Sequence, residues 1–521
     1  MSSLFGWICG ALIVVIAAAL ATVWLQRRLQ SGRVPAGAKC VPSAPGSVLQ
    51  QAVALLVHAP WDVMEQWLNA TRDGAVSFRF HAHFVVVGTA ALARHVFATK
   101  QTNYKKDQST YAIFGDVLGS GLVTSEGERW RRQRALIAPA FKSTMLEAVV
   151  PLAYGAAARV AGTLAAARRR GEALDIAEEF RHMTLQVIGE AVLSMTPDAC
   201  DATLPRLYLP VVTECNVRTW HPYRAYLPLP ATFRHRRAVR ELNDFVTSFI
   251  VDRAKARHLD AHGKPAKYAG ADADVLDQLI DAAHDGGDDV LGDAEALRQM
   301  RDEIKTFLLA GHETSSMMLT WALYELSRHP AELARVRAEA DKLPLGRVDA
   351  AGKWTGLPDA DTLKDLLAYT DCVLKETLRL YSIVPIVSRE AIEDDVAEGF
   401  FVPAGSHVLI HLQAIHRDPE LWDEPLSFKP ARFVDQDLLN PKHHRYAFNP
   451  FVNGPRSCIG QFFSVLESKI VLALLVRQFD IVPALPADIA GERHPYILPY
   501  APKHGFPVNV TPRSPPPTTP K

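Results

Sequence analysis

Apolar residues follow three distinct patterns along this chain. Residues 4–25 carry no charge, and eleven of those twenty-two are Leu, Ile, Val or Phe. As a helix this run spans about 33 Å, the thickness of a bilayer core. Its insertion is favourable by roughly 3–6 kcal/mol. Arg27, Arg28, Arg33 and Lys39 follow directly, so positive-inside reasoning predicts a single-pass anchor with the bulk of the chain in the cytosol. A cleaved signal peptide is the competing reading; the length of the run, Trp24 at its edge and basic residues on the wrong side speak against it. The next stretch, VPAGAKCVPSAPGS, is punctuated by Pro and Gly and reads as a short stiff linker.

Beyond the linker the apolar period is mostly 3.6. It predicts helices over residues 51–69, 128–141, 145–170, 176–194, 234–259, 293–328, 332–342 and 362–380. Alternating or β-branched stretches are fewer: AVSFRF, HFVVVG, residues 406–412 and FPVNV near the end. The predicted fold class is therefore mainly α with small β-sheets. The expected division is an anchor at 1–26, a linker at 27–46, one globular unit at 47–513 and a disordered proline-rich tail at 514–521. Residues 261–289 form the most loop-like interior stretch, around a short helix at 275–283.

The helix predicted at 293–328 is unusual. It would run about 54 Å, from Asp293 as N-cap to the stop at His329-Pro330. Its apolar middle is interrupted by Gly311, His312, Glu313, Thr314, Ser315 and Ser316. Buried polar groups are costly unless paired, and glycine costs about 1 kcal/mol in a helix. Either the helix kinks with its hydroxyls bonded back to i−4 carbonyls, or this segment lines a polar pocket.

Composition narrows the possibilities. The 521 residues hold 57 Lys+Arg against 57 Asp+Glu, and 48% are hydrophobic. Such a chain is globular rather than disordered, and its zero net charge gives no footing for nucleic-acid binding. Six scattered cysteines without a CxxC pair indicate neither a disulfide scaffold nor a structural zinc site.

One cysteine stands apart. FVNGPRSCIG, residues 451–460, places Cys458 after a Gly/Pro turn and just before an apolar helical run. At a helix N-terminus, backbone N–H groups and the dipole favour a thiolate, although an inert buried cysteine is the ordinary alternative. Gly454 and Gly460 would let the backbone approach a flat ligand. This segment resembles the haem-binding loop of the cytochrome P450 family, F-x-x-G-x-R-x-C-x-G, with every fixed position present. The resemblance implies that Cys458 is the axial thiolate of haem iron. Val452 departs from it, standing where family members commonly carry glycine.

Three further motifs follow the family's order. Ala310-Gly311-His312-Glu313-Thr314 resembles its oxygen-activation sequence, with small residues leaving room for dioxygen and Glu313 and Thr314 organising protons. Glu376-Thr377-Leu378-Arg379 resembles its E-x-x-R. Pro430-Ala431-Arg432-Phe433 resembles its P-x-R-F, so Arg432 is the expected third partner of Glu376 and Arg379 in a structural triad. For the haem propionates the resemblance points to Trp130 and Arg134, one helical turn apart, and to Arg389 and Arg456. Arg132 is expected to be exposed.

The likeness covers residues 47–513, making that unit a haem-binding catalytic domain of the membrane-anchored type. It implies a monooxygenase that inserts one atom of O2 into a lipophilic substrate, a fatty acid, sterol or other terpenoid. The cofactor is haem b, and electrons come from NADPH through NADPH-cytochrome P450 reductase on the same membrane, the endoplasmic reticulum. Lys442, His443, His444 and Arg445 are candidate docking residues for that reductase, or simply a solvated basic loop. The pocket is expected to draw on residues 101–122, 207–229, 304–314, 382–387 and 499–506. Nothing in the sequence places Arg224 at its mouth as a carboxylate clamp. Two other readings are a haem-thiolate isomerase or dehydratase acting on a lipid peroxide without reductase, and a non-catalytic haem protein.

Overall fold

Helix ends in this chain are set where a polar cap or a proline dictates them. Ser47 forms a capping box with Gln50 at the start of Val48–Val57, and Pro60 opens the next helix, Pro60–Thr71. The single helix expected over 51–69 is thus two, because the residue before a proline is driven out of the helical region. A second expected helix, 362–380, is likewise split into Ala360–Leu366 and Ala368–Leu380. The computed structural model describes residues 34–80, 82–141, 143–220, 223–258, 274–285, 290–350, 352, 354–434 and 445–513. The apolar run at 4–25, residues 442–444 and the tail at 514–521 lie outside the described residues.

The fold is mainly helical with small sheets, and the chain forms two compact units. The first draws on the described residues of Met1–Thr110, Val384–Pro425 and Lys442–Ser457. Its centre is a five-stranded sheet in the order Ala75–Arg79, His83–Val87, His407–His411, Ile386–Ala391, Tyr104–Lys105. His83–Val87 and His407–His411 run parallel, and the other pairs are antiparallel. Side chains alternate between two faces, and here both faces are buried. Val85, Val87, Val408 and Ile410 pack with Leu92, Val96 and Phe97 on one side. Val76, Phe78, Val86 and Leu409 pack with Val63, Trp67 and Leu68 on the other.

The second unit draws on Tyr111–Ile383, Leu426–Pro441 and Cys458–Lys521. Its main helices are α1 (Gly127–Ile137), α2 (Ser143–Arg170), α3 (Ile176–Leu193), α4 (Pro197–Trp220), α5 (Pro230–His258), α6 (Ala294–Arg328), α7 (Ala368–Leu380) and α8 (Gln461–Gln478). Helix α6 is the long helix expected from the sequence: the Asp293 side chain accepts from Glu295 N, and the helix ends at Arg328 before His329-Pro330. Helix α4 was not expected, because Pro205 and Pro210 lie inside it. Helix α8 is apolar on nearly every face and buried from Leu466 to Val476, as a core helix must be. Helix α2 is apolar and long enough over Met145–Arg170 to cross a membrane, but 56% of an 18-residue apolar window within it is buried in the protein, which marks a core helix.

Burial on α6 also creates a pH dependence. The Glu303 carboxylate accepts from Leu122 N and Gln299 Nε2, at 2.9 and 2.8 Å. Burial nevertheless pushes its pKa up to about 7. The folded chain therefore keeps this proton where the unfolded chain has released it, and stability falls as pH rises from the ordinary carboxyl range through about 7. The total is on the order of 3 kcal/mol. Glu303→Gln is expected to flatten the rise in urea midpoint as pH is lowered from 8 to 5.

Candidate functional site

The cysteine singled out by the sequence opens helix α8. Gly460 is the N-cap residue, and its N–H donates to the Cys458 sulfur. Burial pushes the Cys458 thiol up, while that N–H and the Arg134 guanidinium pull it down. The sulfur is nonetheless reachable by solvent. Desolvation outweighs both the helix terminus and Arg134 here. Gly460 keeps the approach open, since a Cβ there would meet nothing within 4 Å.

Arg134 sits on α1 with Trp130 one turn earlier, both half-buried. Burial lowers the Arg134 pKa and the nearby Cys458 raises it, so the two sequence candidates do come together. Arg132 is exposed, as expected.

Helix α6 carries a gap in its burial. From Asp302 to Leu326 every residue is buried except Leu309, Ala310, Gly311 and Thr314. Ala310 and Thr314, one turn apart, form an open strip on a core helix. The Thr314 hydroxyl donates to the Ala310 carbonyl at 2.5 Å, the back-bonded arrangement. Gly311 also serves packing: a Cβ there would lie 2.7 Å from Ile188 Cδ1, so its missing side chain lets α3 pack close against α6.

Glu313 turns into the protein. Its Oε2 lies 3.4 Å from Arg181 Nε of α3, and its Oε1 lies 3.9 Å from His312 Nδ1. The His312 ring is fully buried and meets Tyr208 of α4 edge-on, with centroids 5.8 Å apart. Arg181, His312 as a site residue and Tyr208 escaped the sequence reading. No spacing rule connects positions so far apart in the chain.

The E-x-x-R pair lies in α7 of the same unit, with both side chains wholly buried. Arg379 Nε and Nη2 donate to the two Glu376 oxygens, each at 2.8 Å, a bidentate pair. Arg432 Nε joins at 3.0 Å, and Lys429 N donates to the same carboxylate at 2.8 Å. Arg379 Nη2 also donates to the Ser427 carbonyl at 3.1 Å.

In the first unit Arg389 is 5% exposed. It donates to the Ser388 carbonyl at 2.8 Å and lies over the Phe97 ring at 5.8 Å. Among the described residues no carboxylate pairs with it. A buried cation without an anion is costly, so this one invites an acidic ligand. Arg456 is half-buried in the same unit. The loop before it is pinned by Asn449 N, which donates to His416 Nε2 at 2.9 Å.

That loop contains two left-handed positions. Val452 has φ +60°, a strained conformation for a β-branched residue and the reason glycine suits the position better. It packs on the core cluster around Phe97. Gly454 has φ +79°, and a Cβ there would fall 2.3 Å from the Phe97 carbonyl oxygen. The glycine thus serves a close backbone crossing. Gly454→Ala is expected to cost about 2–4 kcal/mol, measured by urea unfolding.

These residues fit a haem. Among the described residues no group of three His, Cys, Asp or Glu could hold a free metal ion. Iron protoporphyrin brings most of its own ligands and asks the chain for a thiolate. The open strip at Ala310 and Thr314 is uncharged, and Arg134 and Arg389 are cations suited to carboxylates.

Comparison with known proteins agrees. The cytochrome P450 family profile matches residues 58–489. Cytochrome P450 734A5 of Oryza sativa subsp. japonica is 31% identical over 436 residues, covering 82% of this chain and 77% of that protein. Cytochrome P450 4F8 of Homo sapiens is 31% identical over 407 residues, 75% of each chain. The protein LUTEIN DEFICIENT 5, chloroplastic, of Arabidopsis thaliana is 29% identical over 77% of this chain and 66% of its own length. In three dimensions the crystal structure of the cytochrome P450DA heme domain superimposes with a TM-score of 0.76 at 24% identity, over 93% of this chain and 99% of that one. A thiol at a helix N-terminus beside Arg134, the ordered motifs, the fold and these relatives lead to one conclusion: the chain belongs to the cytochrome P450 family of haem-thiolate monooxygenases.

Proposed function

We propose that this oxidoreductase inserts one oxygen atom of O2 into a lipophilic substrate, a fatty acid, sterol or other terpenoid, with electrons from NADPH-cytochrome P450 reductase. Bound haem b would supply the oxygen chemistry, with Cys458 as its axial ligand. The chain's own residues bind and orient. In this reading Trp130 and Arg134 hold a haem propionate. The observation that carries it is Cys458, a free accessible sulfur at a helix N-terminus within the field of Arg134.

Thr314 Oγ1 can release its bond to the Ala310 carbonyl and donate toward the open strip. Glu313 is the nearest buried carboxylate on that helix and supplies the proton. Thr314→Ala is expected to leave stability within about 0.5 kcal/mol, since the hydroxyl bonds only its own helix. The same change is expected to divert electrons from product to hydrogen peroxide. Unchanged coupling would remove the proposed role.

Substrate class rests on apolar positions. Phe307 and Ile383, both in the second unit, are buried and uncharged. Arg224 does not favour an acidic substrate, because Nε and Nη2 donate to the two Glu214 oxygens at 3.2 and 2.9 Å. The experiment is turnover of a lipid library by full-length protein with haem, reductase and NADPH, read by mass spectrometry. Oxygenated lipids support the reading; rearranged hydroperoxides formed without NADPH contradict it.

For location we propose the endoplasmic reticulum membrane, with the catalytic part in the cytosol and an anchor at 1–26. Removing residues 1–30 is expected to move most of the protein into the soluble fraction. Full retention on membranes would contradict the anchor.

A further inference from the structure

One cavity of the second unit belongs to none of the motifs above. It measures about 250 Å³ and lies between α1, helix Val275–Asp285 and the first third of α6. Leu136, Ile137, Leu279, Ala283 and Met300 give it an apolar lining, and Glu303 contributes a carboxyl. Arg129, Arg132, Asp293 and Glu295 stand exposed at its rim. On α1 the lining residues 129, 132, 133 and 136 share one face, whereas Trp130 and Arg134 lie on another. Along α6, Phe307 comes one turn after Glu303 and packs on Phe141 with ring centroids 5.4 Å apart. It precedes the open strip at Ala310 and Thr314, so the cavity stands apart from that strip.

The buried polar groups of this cavity are already satisfied, except at one side chain. Gln133 accepts from Ser125 Oγ at 2.5 Å and donates to the Ser120 carbonyl at 3.0 Å. Gln299 accepts from Arg129 Nε at 3.0 Å and donates to the Ser120 carbonyl at 3.3 Å and to Glu303 Oε1 at 2.8 Å. Among the described residues Glu303 accepts that bond and the one from Leu122 N, where an ionised carboxylate has room for about four. No cation of the described residues lies within ion-pair distance of it, and Arg129, whose charge favours its ionised form, is held at the rim by Glu295. The ligand that completes such a lining has an apolar body and one positively charged N–H donor. A second carboxylate would meet Glu303 head on.

The same carboxyl holds a loop. Asp302 Oδ2 accepts from Ser120 N at 3.0 Å, beside the bond from Leu122 N to Glu303, so the loop over residues 119–125 hangs on two neighbouring carboxylates of α6. An ionised carboxylate is the stronger acceptor. We propose that the cavity binds a small apolar amine in its protonated form, with the nitrogen paired to the Glu303 carboxylate, and that the bound cation tightens the hold on Leu122. Glu303 is faced by Asp302 on its own helix and by Arg129 on α1, while helix Val275–Asp285 contributes the neutral Leu279 and Ala283. Burial raises the Glu303 pKa to about 7. Binding therefore strengthens as pH rises through that value, as long as the amine keeps its proton.

The test is a titration of the full-length haem-loaded protein with N,N-dimethylbenzylamine and with its uncharged carbon counterpart, isobutylbenzene, followed by calorimetry and by Soret absorbance. At pH 8 the amine is expected to bind at least about ten-fold tighter than isobutylbenzene. It is also expected to bind about ten-fold tighter at pH 8 than at pH 6, the ratio of ionised carboxyl at the two values. Glu303→Gln is expected to lose both differences. Ala283→Phe, which fills the cavity and keeps the carboxyl, is expected to lose binding, and the Soret band should stay unmoved throughout. A crystal structure with the amine should place its nitrogen within hydrogen-bond distance of Glu303. Hydrogen exchange at the Leu122 amide should slow at least about two-fold at pH 7. Binding that moves the Soret band and survives in Ala283→Phe puts the amine at the haem and overturns the site. Equal affinity for the amine and isobutylbenzene overturns the charge pairing, and unchanged exchange at Leu122 overturns the tightening.

Discussion

Glu376→Ala is expected to prevent folded protein from accumulating. The carboxylate is wholly buried, grips Arg379 through both oxygens and also pairs with Arg432. It also accepts from Lys429 N. Removing it leaves a buried guanidinium without its countercharge and a backbone donor without its acceptor. Breaking such a pair costs about 3–5 kcal/mol, a large part of the 5–15 kcal/mol of an ordinary domain. Arg379→Lys is expected to recover little, because an ammonium cannot reproduce the two parallel bonds to Glu376 or the third to the Ser427 carbonyl. Yield of soluble haem protein and the urea midpoint measure both effects. A Glu376→Ala protein of parental midpoint would mean that the triad stabilises nothing.

Cys458→Ala is expected to do the reverse, leaving the fold and abolishing the activity. The sulfur accepts an N–H from its own helix terminus and is a free thiol in no disulfide. Stability of the haem-free protein should change by less than about 1 kcal/mol. Oxygenated product should fall below detection with every substrate and with reductase in excess. Retained product formation would require a different iron ligand. The pair of variants thus separates residues that hold the chain together from the one on which the chemistry depends.

Much of this architecture was legible beforehand, for identifiable reasons. Helix α6 announced both its ends, through the Asp293 cap and the His329-Pro330 stop, and the early strands announced themselves through β-branched alternation. Helix α4 did not, because Pro205 and Pro210 read as breakers while surrounding burial of Leu204, Tyr208 and Val211 overrides them. The cysteine loop was legible because its information is contiguous. The meeting of Arg181, Glu313 and Tyr208 was not, since it depends on how α3, α4 and α6 pack, and helix packing leaves no mark at fixed spacing. The packing roles of two glycines were hidden for a related reason, since Gly311 faces Ile188 and Gly454 the Phe97 carbonyl, contacts made far along the chain. The departure at Val452, by contrast, was visible in the sequence, and its φ of +60° gives it a physical meaning.

The account stands on sulfur of Cys458 binding haem iron, and the most direct measurement is the absorption spectrum of the reduced, haem-loaded protein under carbon monoxide. The account predicts the strongly red-shifted Soret band that a thiolate opposite carbon monoxide produces, absent from the Cys458→Ala protein. A fully haem-loaded parent protein that shows instead the unshifted band of a nitrogen ligand or a neutral thiol, indistinguishable from Cys458→Ala, would contradict it.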